Sequence, residues 1–318
     1  GENDKVPFYE VDQPAHGLSH DLRIAYNNFA RGGIKPKITC SDQLAVFVQL
    51  ESAARFQSDH KTSQKTIPVI TGFFRNELAN ILFLDPRPAQ MRDYSFTSDK
   101  KLREDGRNLS SVLFNLWQEA GNQQPILGFI ASLPEQDIRN LDFLNGPRGE
   151  VMLQLTETFG GTERKVPAPL LSDGTLRVLA IAAALLSAPA DALVVIEEID
   201  NGVHPGRAAT LLTGIQQIAE QRGLTVLLTT HNPALLDALP DRAVPDVVFC
   251  YRDPTEGDSR LVRLQDLADY PELIAQGNVG HLLTTGILDR FVKQHPRPAE
   301  KQARALAWLE SLKAGSGE

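Results

Sequence analysis

The sequence predicts an α/β fold built on a parallel sheet, and three observations carry that expectation. Ala192–Ile196 is a short continuous β-branched run of the kind that fills a central parallel strand, and Thr225–Thr230 reads as another buried strand. Gly174–Ser187 and the segment after Pro205 have helical periodicity. Strand and helix then alternate from Val151 to Tyr251, which is the pattern of a layered α/β domain.

Taken in order, the first third is a mixture. Gln43–Leu50, Ile67–Ile70 and Ile81–Leu84 are short apolar runs among polar breaks such as Gly32-Gly33, and read as mixed strands and short helices. Pro86 and Pro88 punctuate the chain. Leu109, Val112, Leu113 and Leu116 recur at helical spacing, and residues 125–144 also read as helical. Val151, Leu153 and Leu155 alternate as in a strand, and Gly160-Gly161 marks a turn. The Gly174–Ser187 helix is apolar nearly all round, so it is expected to be buried. Pro205 suits the first position of a helix whose face is Leu211, Leu212, Ile215 and Ile218. Pro233–Leu239 reads as a short helix and Val247–Tyr251 as a third strand. The expected organisation is mixed strands over 1–85, a helical subdomain over 86–150, an α/β lobe over 151–265 and C-terminal helices over 266–318.

Composition sets the class. The chain has 318 residues, 42 % of them hydrophobic and 23 % charged, enough for one large or two ordinary domains. That excludes a disordered tail, a collagen-like chain and a coiled-coil rod. Lys+Arg total 32 and Asp+Glu 40, a net charge of −8, so any nucleic-acid contact is confined to a local patch. Two cysteines, Cys40 and Cys250, exclude a disulfide scaffold or zinc ribbon and fit a reducing, cytoplasmic setting. The apolar stretch Val178–Ile196 is interrupted by Ser187, Pro189 and Asp191, so no membrane span is expected. No signal peptide is read either, and a chain opening on Gly1 instead of Met fits a fragment or a cut tag.

Three short segments at the mouths of these elements carry chemistry. Leu171-Ser172-Asp173-Gly174-Thr175 opens the buried helix. Free N–H groups and hydroxyls there suit a phosphate, and Ser172 or Asp173 equally suits a helix cap. Leu193–Glu198 is an apolar strand ending in adjacent carboxylates. One can hold Mg²⁺ and the next can orient a water, or the strand simply exits to solvent. Leu227–Asn232 is a second strand, ending in His231. That ring can hydrogen-bond a γ-phosphate or serve as a satisfied structural residue.

The conjunction is more specific than its parts, with 25 positions from 172 to 197 and 33 from 198 to 231. It resembles the ABC-type ATPases. More narrowly, it resembles the AAA_21 group of stand-alone ABC-type ATPases, related to the overcoming-lysogeny-defect ATPases and more distantly to the Rad50 and SMC proteins. Leu171–Arg177 (LSDGTLR) looks like the signature motif and Leu193–Glu198 like Walker B, with Glu197 where many relatives carry the Mg²⁺-site Asp. Glu198 matches the catalytic glutamate and His231 the switch histidine. Ile199-Asp200-Asn201 sits where the D-loop follows, and Gly202-Val203-His204-Pro205 matches the opening of the next helix. Ile81–Tyr94 (ILFLDPRPAQMRDY) and Leu102–Leu113 (LREDGRNLSSVL) are also similar to the group.

The resemblance implies a P-loop NTPase fold, ATP and Mg²⁺ as ligands, and nucleotides sandwiched between the subunits of a homodimer. It implies that Ser172 and Gly174, with Thr175 alongside, meet the γ-phosphate bound on the opposite subunit. Glu197 then supports Mg²⁺, Glu198 polarises the attacking water, His231 holds the γ-phosphate and Asp200 communicates across the dimer. Arg177 either reaches a phosphate or salt-bridges on the helix surface. His204 caps or packs. A nuclease or effector partner and a phage-defence or DNA-related process are further implications.

One element of the pattern is missing. A P-loop, G-x-x-x-x-G-K-[ST], needs a Gly-Lys pair, and no such dipeptide occurs in the sequence. The P-loop lies in a segment missing from this chain, or on a separate polypeptide, or the protein is a binding module that has lost the activity. Other readings are weaker. A fused Toprim nuclease needs a D-x-D pair that the sequence lacks, and a serine hydrolase needs a G-x-S-x-G elbow that it also lacks. Arg290, Lys293, Arg297, Lys301 and Arg304 form either a DNA-facing patch or the solvated side of an amphipathic C-terminal helix.

Overall fold

The computed structural model describes residues 6–13, 19–30, 32, 34–119, 121–130, 138–159, 161–267 and 269–293. The chain divides into two units, residues 1–81 and 82–318.

The first unit is an antiparallel meander with helices. Strands β1 (Tyr9–Gln13), β2 (Asp21–Tyr26) and β3 (Lys37–Ser41) pair in that order. Helices α1 (Val46–Gln49) and α2 (Lys61–Ala79) follow. Ile24, Tyr26, Cys40, Leu50, Phe56 and Ile67 form the core. Tyr26 sits edge-on to Phe56, and its hydroxyl meets His60 Nδ1 at 2.8 Å, so the polar tip of a buried ring is satisfied. The expected mixture of strands and helices is present, but α2 spans 19 residues where the sequence reading has only the apolar run Ile67–Ile70. That run is β-branched and holds Pro68, local features that argue against a helix interior. Tertiary packing overrides them: Ile67 is fully buried, and Ser63 donates to the Asn27 carbonyl.

The second unit holds two sheets around its larger core, and a two-stranded hairpin beside a smaller one. Strand β4 (Leu82–Leu84) leads to the two-residue β5 (Ser95–Phe96), then helices α3 (Leu109–Gln118) and α4 (Gln123–Ile130). An antiparallel sheet follows from β6 (Ile138–Asn145), β7 (Glu150–Phe159) and β8 (Thr162–Pro167), with β7 pairing to β5, β6 and β8. Residues 138–144 are therefore strand, not the helix that the 125–144 reading expects. Leu141 and Phe143 alternate with Asn140 and Asp142, and Leu141 sits opposite Leu155 in the core.

Helix α5 (Asp173–Ser187) is the centre of the unit, with every residue from Val178 to Leu186 buried, as its all-round apolar character predicts. Pro189 follows its last turn, where a helix cannot continue. Next come β9 (Leu193–Ile196), α6 (Ala208–Arg222), β10 (Thr225–Leu228) and α7 (Pro233–Asp237). The parallel sheet has the order β10-β9-β4, so its third strand is β4. Strand β11 (Val248–Arg252), expected as the third, instead makes an antiparallel hairpin with β12 (Ser259–Arg263). Its alternating burial fits one covered face, not a central parallel position. Helices α8 (Tyr270–Ala275), α9 (Val279–Thr284) and α10 (Ile287–Lys293) pack a second small core around Leu264, Leu273, Leu282 and Leu288. On α10, Leu288 and Val292 face inward while Arg290 and Lys293 are exposed, and Lys293 pairs with Asp289 at 2.6 Å. Arg297, Lys301 and Arg304 lie outside the described residues. No described helix is long and apolar enough to cross a membrane.

Candidate functional site

The parallel sheet aligns Leu84, Ile196 and Leu228 at one edge, and the chain leaves each strand there. Side chains past the C-terminal ends of parallel strands enter the crevice where α/β ligands bind. Glu197 follows directly, with its N–H on the Leu84 carbonyl at 3.1 Å. Its carboxylate is exposed and makes no hydrogen bond or ion pair among the described residues.

Glu198 adopts a left-handed backbone, φ +46°. A non-glycine residue there is strained by about 1–2 kcal/mol and persists only where its surroundings hold it. The holders are visible. Glu198 N–H donates to Thr229 Oγ1 at 2.9 Å, Ile199 N–H to the Thr229 carbonyl at 3.1 Å, and Asn201 Nδ2 to Glu198 Oε2 at 2.5 Å. Both carboxylates are exposed, so the burial of like charges, which would demand a cation, does not arise.

The β10 end meets the same loop. The Thr230 hydroxyl donates to Asp200 Oδ1 at 2.5 Å, and His231 Nε2 lies 3.9 Å from Asp200 Oδ2. The Asp200 carboxylate is 6 % exposed and the His231 side chain 76 %. The acid is held inside and the imidazole beside it is open, at a separation too long for a hydrogen bond. Asn232 then caps α7, accepting from Ala234 N–H.

The start of α5 completes the arrangement. Ser172 is exposed and caps the helix, accepting from Thr175 N–H at 3.1 Å. Thr175 is 1 % exposed and its hydroxyl is satisfied by Ser172 at 2.8 Å, so it supports Ser172 and does not itself face a ligand. Helix geometry leaves the Asp173 and Gly174 N–H groups without intrahelical partners. Gly174 lies against Gly202: a Cβ on Gly174 would stand 2.2 Å from the Gly202 carbonyl oxygen. Gly202 itself has φ +77°. The backbone of the helix start therefore touches the loop that carries Glu198. Arg177, one turn on, lies over Gly202 and makes no hydrogen bond or ion pair among the described residues, so the surface salt bridge is not formed. His204 is a cap, its Nδ1 accepting from Gly206 N–H at 3.1 Å.

Sequence reasoning missed four supporting residues. Thr229, Thr230 and Asn201 hold Glu198 and Asp200, and the hydroxyls just before His231 were the available signal. The fourth, Arg92, is considered below. Beside the β4 end lies a charged cleft that includes Asp85, Arg87, Asp105 and Arg107. The Arg107 guanidinium bonded to Asp105 holds that carboxyl below its usual range. A further groove runs between α4 and α6, past Phe129 and Gly214, and contains none of the motif residues.

No group of three or more metal-binding side chains occurs among the described residues. A dedicated protein cage is thus not what these residues build. One unpaired carboxylate, Glu197, does fit Mg²⁺ in its usual nucleotide setting, where phosphate oxygens and waters supply most ligands.

A family model matches residues 36–237, more than half of the chain: AAA_21, described as "AAA domain, putative AbiEii toxin, Type IV TA system". The chain belongs to the AAA_21 family. The match spans every motif residue above. No curated protein matches. Among solved structures, this AAA_21 chain is similar to one from work titled on ATP-driven dimerization and DNA-stimulated activation of SMC ATPases, at 13 % identity and TM-score 0.35, covering 51 % of this chain and 96 % of that one. It is also similar to the SmcHead bound to the C-winged helix domain of ScpA, at 11 % identity and TM-score 0.39, covering 76 % of this chain and 66 % of that one. A third is the Smc head domain with a coiled coil and joint from Pyrococcus yayanosii, at 13 % identity and TM-score 0.34, covering 64 % of this chain and 32 % of that one. The AAA_21 chain spans less than two-thirds of the length of these last two. Overlaps of this quality fix no residue correspondence.

Proposed function

We propose that the chain is the signature, Walker B and switch-histidine part of an ATP-hydrolysing ABC-type ATPase that works as an ATP-gated homodimer. The observation that carries this reading is the convergence on Glu198. A strained acid at a parallel strand end is held by Thr229 and Asn201, beside an unpaired Glu197, an exposed His231 and an open helix start. Strain of this kind concentrates at functional sites.

In this reading Glu198 orients the attacking water and accepts its proton. His231 donates to the γ-phosphate. The buried Asp200 carboxylate, held by the Thr230 hydroxyl, ties the β10 end to the Glu198 loop. Ser172, the free N–H groups of Asp173 and Gly174, and the unpaired Arg177 present donors and positive charge to a phosphate held by the second subunit. Mg²⁺, when bound at Glu197, neutralises charge developing on the phosphate oxygens. Phosphoryl transfer needs mostly positioning and electrostatics from protein, and this donor set supplies them.

A P-loop has to come from outside these 318 residues. The parallel sheet supports a missing layer. On one face Phe83 and Leu227, on the outer strands, are 53 % and 51 % exposed while Val195 between them is buried, whereas parallel sheets are normally covered on both faces across all strands. The family description names a toxin–antitoxin system, and we assign that setting ahead of other DNA-related work; phage defence and a nuclease or effector partner are carried by the resemblance alone.

The test is Glu198→Gln in the native gene product. ATP binding is expected to persist, turnover to fall about 100-fold or more, and an ATP-bound dimer to accumulate. Normal turnover in that variant refutes the assignment.

A further inference from the structure

Two sequence segments, Ile81–Tyr94 and Leu102–Leu113, supply no side chain to the chemistry above, yet they are tied to one another. Asp85 N–H donates to the Glu104 carbonyl and Arg87 N–H to the Asp105 carbonyl, each at 3.0 Å. Met91 is 1 % exposed and lies against Gly106, whose φ is +73°. The turn Pro88–Gln90 between them packs on α5. The two segments thus form a bracket rooted at the end of β4, next to the strand that delivers Glu197.

Arg92 stands at the end of that bracket. Its Nη1 donates to the carbonyls of Leu171 at 2.7 Å, Pro169 at 2.9 Å and Ala168 at 3.3 Å, and its Nη2 to Asp173 Oδ1 at 2.5 Å. These four acceptors are the approach to α5 and its first residue. One planar guanidinium reaches all of them, a geometry that lysine cannot copy. The other anchors of the loop are apolar, with Ala168 and Leu171 buried in the core, and Pro167 and Pro169 carry no N–H that could add a polar one.

We propose that Arg92 is the positioning residue of the signature loop: it fixes residues 168–173 on the β4 bracket so that Ser172 and the free N–H groups of α5 face a phosphate presented by a second subunit. This rests on the ATPase reading for the ligand, but the anchoring itself does not. Arg92 also offsets the exposed Asp173 carboxylate, which would otherwise repel a polyphosphate. Positioning is the dominant role in this proposal, and the two roles are separable.

The experiment uses the native gene product carrying Glu198→Gln, with dimerisation followed by sedimentation at saturating ATP and ATP binding followed by titration of a fluorescent analogue. Arg92→Ala should weaken ATP-dependent dimerisation at least tenfold, with nucleotide affinity of the protomer changed less than twofold. Arg92→Lys, which keeps the charge, should show most of the same loss, and Asp173→Asn should not rescue Arg92→Ala. Dimerisation unchanged in Arg92→Ala overturns the proposal. Equal losses in dimerisation and nucleotide affinity, full function in Arg92→Lys, or rescue by Asp173→Asn also overturn it.

Failure of the Glu198→Gln parent to associate with ATP refutes the ATPase reading instead. Hydrogen exchange then decides the anchoring. The amides of Thr175 and Leu176, both bonded to Ser172, should exchange at least tenfold faster in Arg92→Ala and Arg92→Lys while those of β9 keep their protection. Unchanged exchange there overturns the proposal.

Discussion

Replacing Gly174 by alanine sets two known effects against each other at one atom. Alanine is the better helix former, and in an open helical position the exchange gains about 0.5–1 kcal/mol. At Gly174 the new methyl would lie 2.2 Å from the Gly202 carbonyl oxygen and 3.2 Å from its carbon. Ordinary contact begins near 3.4 Å, so one partner has to move by more than 1 Å. Neither is a flexible side-chain tip: Gly174 is in the first turn of α5, and Gly202 is held in a left-handed turn. Overpacking of this kind costs about 1–3 kcal/mol, and the rigid backbone on both sides puts the site at the upper end. The net expectation is a loss of about 1–2 kcal/mol, or about 2–8 °C in unfolding temperature for a unit of this size. Gly128 in α4 is the control, because nothing lies within 4 Å of its added Cβ. Gly128→Ala should raise stability by about 0.5–1 kcal/mol. Urea unfolding of both variants decides the matter. A Gly174→Ala protein as stable as Gly128→Ala would refute the close approach as a rigid feature.

The remaining predictions rest on separate contacts. Asp105→Asn should lose stability at neutral pH, because the bonded Arg107 lowers the carboxyl's pKa in the folded state. That contribution is present above the ordinary carboxyl pKa of about 4 and disappears as pH falls through the lowered folded value, so the wild-type and variant curves should converge in acid. A constant gap down to the lowest pH would count against it. Glu198→Gly should be about 1 kcal/mol more stable than Glu198→Ala, because both lose the Asn201 bond and turnover and only alanine keeps a strained left-handed backbone. Equal unfolding temperatures for the two variants would show that φ +46° carries no strain. Thr229→Val removes the acceptor for Glu198 N–H and should cost about 1 kcal/mol by urea unfolding, whereas Thr229→Ser should restore it.

The parts of the fold that were legible are those where one local pattern decides the outcome. Leu193–Ile196 has a continuous apolar run and α5 is apolar all round, so burial fixed both without help from distant residues. Strand β4 has only three residues, and nothing within it announces that it pairs with a strand more than a hundred positions away. Helix α2 hid behind Pro68 and β-branched neighbours, because its stability comes from Ile67 packing in the core. In the candidate site, the motif residues were legible by type and spacing. Their supports were not. Arg92 reaches its partners across 76 to 81 positions, and the burial of Thr175 follows from the turn of α5 that faces inward. The left-handed backbone of Glu198 is set by Thr229 from another strand, so no local residue preference forecasts it.

The contacts that were hidden are also the ones that make the site a unit. Gly174 against Gly202 joins α5 to the Glu198 loop through backbone alone, with no side chain able to absorb a shift. Thr229 and Thr230 join the same loop to the strand end carrying His231. A displacement at His231 of a few tenths of an ångström therefore reaches Glu198 through a hydrogen bond, and reaches the start of α5 through van der Waals contact. Packed elements of this kind transmit strain and do not soak it up. On the ATPase reading, the phosphate sensed by His231 in one site and the donors that α5 offers to the other site belong to one rigid piece of chain. Alternating or concerted firing of two sites then needs no separate relay. Loosening the Gly174–Gly202 contact should uncouple the sites before it unfolds the protein.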